Sequence, residues 1–270
     1  MSIYAPETFA REFHAIASNI GQAIVGKDYA IALTLTALFA RGHVLLEDNP
    51  GTGKTSLARA IARTIEGDHG RIQFTPDLLP SDVTGVMVLD QATGAFSFRE
   101  GPVFCSILLA DEINRASPKT QSALLEVMEE GRVTVDRLAR DVPQPFMVIA
   151  TQNPVEQAGT YDLPEAQLDR FLIKTALGYP DREAAMRIVG EAHVHDRTVA
   201  LAPVTSTARV LQLAAIAEQT RVRRDVLDYV LRLCEATRRG TLVGASVRGA
   251  LALVRCAKVL AAADGRAYVL

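Results

Sequence analysis

His43-Val-Leu-Leu-Glu47-Asp48-Asn49-Pro50-Gly51-Thr52-Gly53-Lys54-Thr55-Ser56 is the stretch on which the fold turns. It opens on a short apolar run and tightens into a Gly/Pro loop. From Lys54 to Thr64 it returns to helical periodicity, with Leu57, Ala58, Ile61 and Ala62 on one face. Strand, glycine-rich loop and helix form the setting in which backbone N–H groups converge on phosphate oxygens, helped by the helix N-terminus. Gly51 and Gly53 permit the bends and the close approach of a phosphate. Lys54 would reach the β and γ phosphates of ATP, and Thr55 would offer its hydroxyl to Mg²⁺. The generic loop carries glycine where this chain has Asp48. Locally, an ordinary turn before a helix is the rival reading; the flanking strand and helix favour a nucleotide site.

Outward from this loop, residues 8–40 read as helical, with a break around Val25-Gly26-Lys27. Arg71–Thr75 reads as a second strand. Val86–Leu89 and Phe96–Phe98 flank a turn at Thr93–Gly94 and read as a hairpin. Val103–Ala110 is a continuous apolar run, as in a buried parallel strand. Ser117 and Pro118 read as N-cap and first turn of a helix that stops near Gly131. Val133–Val135 reads as one arm of a second hairpin. Phe146–Ala150 and Leu172–Ala176 are further strands. After Asp181 strand signals cease, and helices are expected at 181–192, about 206–218, 223–238 and 246–263. The expected organisation is an α/β domain over 1–179 followed by an all-α domain over 180–270.

The second chemical site is Ser106-Ile-Leu-Leu-Ala-Asp111-Glu112, an apolar strand ending in two acids. Strand ends are where ligands bind in open α/β sheets. Asp111 would hold the Mg²⁺ shell. Glu112 would orient and polarise the attacking water. Taken alone, two solvated acids at a strand end explain the pattern as well; its order after a phosphate loop gives it weight. Asn153, at the tip of Thr151-Gln-Asn153, could bond the water or the γ-phosphate, or simply form a turn before Pro154. Arg170 lies just before the last strand, and Arg248 starts the final helix. Either guanidinium could neutralise γ-phosphate charge, and either could be a surface arginine.

Composition sets bounds. Hydrophobic residues make up 49% of the 270, enough for a sizeable core, and the formal net charge is only −2. That gives no general attraction to nucleic acid or to an anionic membrane. The longest nearly uncharged apolar stretch, Tyr29–Ala40, is well short of the roughly 20 residues a membrane helix needs. No secretory signal is read, and Cys105, Cys234 and Cys256 are widely spaced, so a cytoplasmic location with reduced thiols is expected.

With these residues in place, the chain resembles the MoxR family of AAA+ ATPases, the P-loop NTPases with a three-layer core and a small all-α lid. The likeness runs over nearly the whole chain. Its most specific stretches are Leu109-Ala-Asp-Glu-Ile-Asn-Arg-Ala-Ser-Pro-Lys-Thr-Gln-Ser-Ala-Leu-Leu-Glu-Val-Met-Glu-Glu-Gly-Arg-Val-Thr-Val and the run from Ala150 to Phe171. Gly244-Ala-Ser-Val-Arg-Gly-Ala resembles the family's sensor-2 segment.

The resemblance implies Walker A contacts from Asn49, Pro50, Gly51, Thr52, Gly53, Lys54, Thr55 and Ser56, and Walker B at Asp111 with Glu112 as catalytic glutamate. It implies sensor 1 at Asn153, an arginine finger at Arg170, a cis-acting sensor 2 at Arg248, and Val25 and Gly26 beside the adenine. The hairpin at about 86–99 looks like the insert of the helix-2-insert clade. The one at 132–142 looks like the hairpin before sensor 1. The implied machine is an ATP-hydrolysing, chaperone-like ring, in hexamer form, acting on a client protein, often one with a von Willebrand factor A domain. Asp48 is familiar among MoxR-like sequences, whereas Val247 stands where many members carry proline. Rival readings are a magnesium-chelatase-type motor subunit, an ATP-binding assembly switch with little hydrolysis, and a DNA-acting AAA+ protein. Glu112, Asn153 and Arg170 together speak against the switch, and the near-neutral charge against DNA.

Overall fold

The computed structural model describes residues 6–48, 51–92, 94–153, 161, 163–191, 196–240 and 244–270. Helices α1 (Pro6–Ala23) and α2 (Asp28–Phe39) precede strand β1 (Val44–Glu47). The loop then leads into α3 (Lys54–Thr64) and β2 (His69–Gln73). A short α4 (Pro80–Thr84) enters the hairpin of β3 (Gly85–Leu89) and β4 (Phe96–Glu100). β5 (Ile107–Asp111), α5 (Pro118–Glu130), the hairpin of β6 (Arg132–Val135) and β7 (Leu138–Asp141), and β8 (Met147–Gln152) follow. α6 (Glu165–Leu168) and β9 (Ile173–Thr175) come next. The remainder is α7 (Arg182–Gly190), α8 (Thr207–Glu218), α9 (Arg224–Gly240) and α10 (Val247–Ala263).

Five strands form one sheet in the order β2-β5-β8-β1-β9, every neighbouring pair parallel. The two-residue period of a strand then decides which core each side chain joins. Val44, Leu46, Ile107, Leu109, Met147 and Ile149 point to one face, against α1, α2 and α3. Leu45, Leu108, Ala110, Val148 and Ala150 point to the other, against α5. The expected three-layer α/β core with a parallel sheet, followed by helices, is thus observed. The helical part is not isolated from it: Leu213 of α8 and Val259 of α10 share one apolar cluster with Ile20, Leu35 and Leu57.

Helix ends follow their capping residues, and those of α5 are the ones read from the sequence. The Ser117 hydroxyl accepts from the Thr120 N–H, Pro118 opens α5, and Gly131 ends it. Asp181, Ser206 and Ser246 cap α7, α8 and α10 in the same way. Several boundaries differ from expectation by a residue or more. β5 starts at Ile107, not Val103, because the chain turns there: Phe104 N–H donates to Gly101 O at 3.1 Å and Cys105 N–H to Val103 O at 2.9 Å. β2 begins two residues earlier than read, and α7 ends at Gly190 rather than 192. α4, α6 and the turns at Ile113–Arg115 and Arg197–Ala200 span only 3 to 5 residues each. Such pieces are too short for periodicity to announce. Among the described residues no helix is long and apolar enough to cross a membrane, and Cys105 and Cys234 are buried free thiols.

One buried histidine locks β1 to its neighbours. His43 Nδ1 accepts from Val148 N–H at 2.9 Å, and Nε2 donates to Met128 O at 3.0 Å. With both nitrogens used this way only the neutral ring fits, and burial lowers its pKa from 6.5 to about 4. An unfolded chain takes up the proton near 6.5. Stability from this group is therefore complete above pH 6.5 and lost as pH falls towards 4, by about 3 kcal/mol in all. Denaturant unfolding at pH 7 and pH 4.5 checks this. The stability difference between the native chain and His43→Gln should shrink across that interval.

Candidate nucleotide site

Gly53, with a φ of 97°, caps α3 in a conformation that favours glycine. A cleft of about 560 Å³ opens beside it. Val25, Lys27, Gly51, Thr52, Gly53 and Ser56 line one side, and Ile188 and Arg197 the other. Val25, expected beside the adenine, and Gly51, Thr52, Gly53 and Ser56, expected along the phosphates, therefore border a single space. Gly26 is required at its own position: its φ is 72°, and a Cβ there would lie 2.7 Å from that of Ala184. Lys54 Nζ donates to Asp48 O at 3.1 Å. Asn49 and Pro50 lie outside the described residues.

The acidic pair sits at the same edge of the sheet, one strand beyond β8. Asp111 Oδ1 accepts from the Thr151 hydroxyl at 2.7 Å, and Oδ2 pairs with Arg71 at 2.8 Å. Among the described residues each carboxylate oxygen has one such partner, which leaves it a second acceptor position. Glu112 has a φ of 57°, an uncommon conformation for a residue with a side chain. Its N–H donates to Thr151 Oγ1 at 2.8 Å, so one hydroxyl holds both acids. The Glu112 carboxylate accepts from Gln73 Nε2 at 2.8 Å and Arg115 Nη1 at 2.9 Å. Asn153 is buried just past the end of β8, the strand between β1 and β5.

The two arginines lie elsewhere. Arg170 pairs with Glu129 at 3.2 Å and Arg248 pairs with the same carboxylate at 2.8 Å. They line a cavity of about 240 Å³ together with Arg41, His43 and Arg255. His43 precedes β1 and Leu172 precedes β9, so this cavity is at the edge of the sheet opposite the phosphate loop. At strand rise, His43 and Asp48 are about 17 Å apart. Arg248 thus lies at the edge of the sheet opposite the phosphate loop of its own chain. Its helix starts beside the C-terminal end of α5, and that placement takes its guanidinium to Glu129, which Arg170 also pairs.

Several residues here escaped the sequence reading. Arg71 and Gln73 alternate on edge strand β2, and the register Gln73↔Asp111 brings them to the acids. Thr151 was visible as a polar strand end, without sign of its two partners. Glu129 lies near the end of α5, and its pairing with two distant arginines has no local signal.

Comparison with known proteins settles the kinship. Residues 43–173 match the model of the ATPase family associated with various cellular activities (AAA). The uncharacterized protein YeaC of Bacillus subtilis (strain 168) is 47% identical over 254 residues, 93% of this chain and 79% of that protein. Chaperone MoxR1 of Mycobacterium tuberculosis is 41% identical over 278 residues, 98% of this chain and 73% of that protein. The chain belongs to the MoxR family of AAA+ ATPases. A crystal structure of an ATPase candidate from Cytophaga hutchinsonii matches the MoxR-family fold seen here with a TM-score of 0.90 and 38% identity. It covers 98% of this chain and 84% of its own. As a family member the chain binds ATP and hydrolyses it.

Proposed function

We propose that this MoxR-family ATPase is a chaperone-like remodelling machine whose ATP sites are shared between protomers. One observation carries the reading. The phosphate loop, Asp111, Glu112 and Asn153 meet at one edge of the sheet, while Arg170 and Arg248 gather at the other around Glu129. Neither guanidinium reaches the γ-phosphate held by its own chain across that span. In a ring, the far edge of one protomer faces the loop of the next, and both arginines become available in trans. The ring is taken to be a hexamer in the cytoplasm.

Within one site the roles follow from chemistry. Lys54 leaves the Asp48 carbonyl and binds the β and γ phosphates, while Gly51, Thr52, Gly53 and Ser56 line the phosphate path. Val25 and Gly26 border the base. Thr55 and Asp111 offer hard oxygen donors, and the two free acceptor positions on Asp111 fit Mg²⁺. When bound, that ion would offset phosphate charge. Glu112 takes the proton of the attacking water and Asn153 helps to orient it. Arg170 and Arg248 exchange Glu129 for the neighbour's γ-phosphate oxygens.

The β3–β4 and β6–β7 hairpins are placed to pass motion to a client. They touch each other: the Arg140 guanidinium stacks 4.4 Å over the Phe98 ring. Phe96 and Leu138 remain exposed. The relative named Chaperone MoxR1 supports a protein client, and a von Willebrand factor A domain protein is the proposed partner. Capture with Glu112→Gln as bait tests this. A client retained with ATP and released without it is expected, with Lys54→Ala capturing none. Equal capture by Lys54→Ala would overturn ATP-driven remodelling.

A further inference from the structure

We infer that Asp48 is a positioning residue that fastens the phosphate loop to the segment joining the two parts of the chain, so that events at Lys54 reach α7. This rests on ATP occupying the loop as proposed above. Asp48 stands where a generic phosphate loop has glycine, and it is only 7% exposed. Its carboxylate accepts from the backbone N–H of Leu177 and from that of Gly178, the latter at 3.1 and 3.2 Å to its two oxygens. Among the described residues it has no ion pair, so backbone N–H groups hold the buried charge. Glycine at this position would leave the Leu177 and Gly178 N–H groups without that acceptor.

The same residue faces the nucleotide by its main chain. Its carbonyl accepts from Lys54 Nζ at 3.1 Å, and its N–H donates to Gln152 O at 3.3 Å. One residue thus links the phosphate-binding lysine, the end of β8 and the exit from β9. Two further contacts fix the joining segment to the cleft. Lys27 Nζ donates to Tyr179 O at 2.6 Å, and Gly26 admits Ala184 of α7. Ile188 of α7 lines the cleft itself. When phosphates draw Lys54 away from the Asp48 carbonyl, the start of the loop relaxes. The N–H groups of Leu177 and Gly178 follow the carboxylate, and α7 follows them.

Hydrogen–deuterium exchange on the full chain tests this, with and without a non-hydrolysable ATP analogue, for native protein, Asp48→Asn and Asp48→Ala. In the native chain the analogue should change exchange across 177–190. In Asp48→Ala the analogue should still bind within about threefold of native affinity, the exchange change should vanish, and kcat should fall about tenfold with little change in KM. Asp48→Asn keeps one acceptor oxygen and should retain part of the response. A full native response in Asp48→Ala overturns the inference alone, as does weakened binding with kcat unchanged, which would make Asp48 a loop-shaping residue only. Should the alanine variant not fold, an undiminished response in Asp48→Asn overturns it equally. A native chain that does not bind the analogue overturns the nucleotide-site reading and this inference with it.

Discussion

Glu112→Gln should bind ATP as tightly as the native chain and hydrolyse it about 10²- to 10⁴-fold more slowly, the range for loss of a positioned base. Glutamine keeps the size of the side chain and an oxygen to accept from Gln73 and Arg115, so the left-handed turn at Glu112 and its bond to Thr151 need not change. What it removes is the capacity to take a proton from water. Single-turnover hydrolysis, beside equilibrium binding of a fluorescent ATP analogue, separates the two effects. Equal rates for native and variant would remove Glu112 from the chemistry and revive the picture of a nucleotide-binding switch.

Arg170→Ala should have an effect of similar size for a different reason. A guanidinium on the γ-phosphate is worth about 10³- to 10⁵-fold in turnover where it is supplied by a neighbour. The structural cost is small by comparison. Arg170 and Glu129 are both partly exposed, and such pairs contribute about 0–1 kcal/mol. Glu129 also keeps Arg248 at 2.8 Å, so no carboxylate is stranded. The assembled variant should therefore lose turnover while the isolated subunit keeps its ATP affinity and its melting temperature. Native turnover in the assembled variant would contradict a shared site.

Much of this was legible in the chain because the signals are local. The apolar run of β1, its loop and the face of α3 lie within 22 residues of one another, and the run before Asp111 and Glu112 announces its own strand end. Alternation along β1, β5 and β8 sorts side chains between two cores without knowledge of their partners. What stayed hidden depends on pairings far apart in sequence. Asp48 stood out only as a departure from the generic glycine, because its partners Leu177 and Gly178 lie 129 and 130 residues away. Arg248 carries the expected motif, but its place is set by how α10 lies on the sheet domain, and that packing takes it to Glu129, 119 residues off. Arg71 and Gln73 gain meaning only from the register of β2 on β5.

The most direct test of a site divided between protomers is to mix two inactive variants. Glu112→Gln has a damaged site and an intact arginine; Arg170→Ala has the reverse. If ATP is cleaved at the junction, random assembly of equal amounts should restore about a quarter of the native turnover, from junctions that join the intact halves. A mixture no more active than the mean of its two parents would contradict the account.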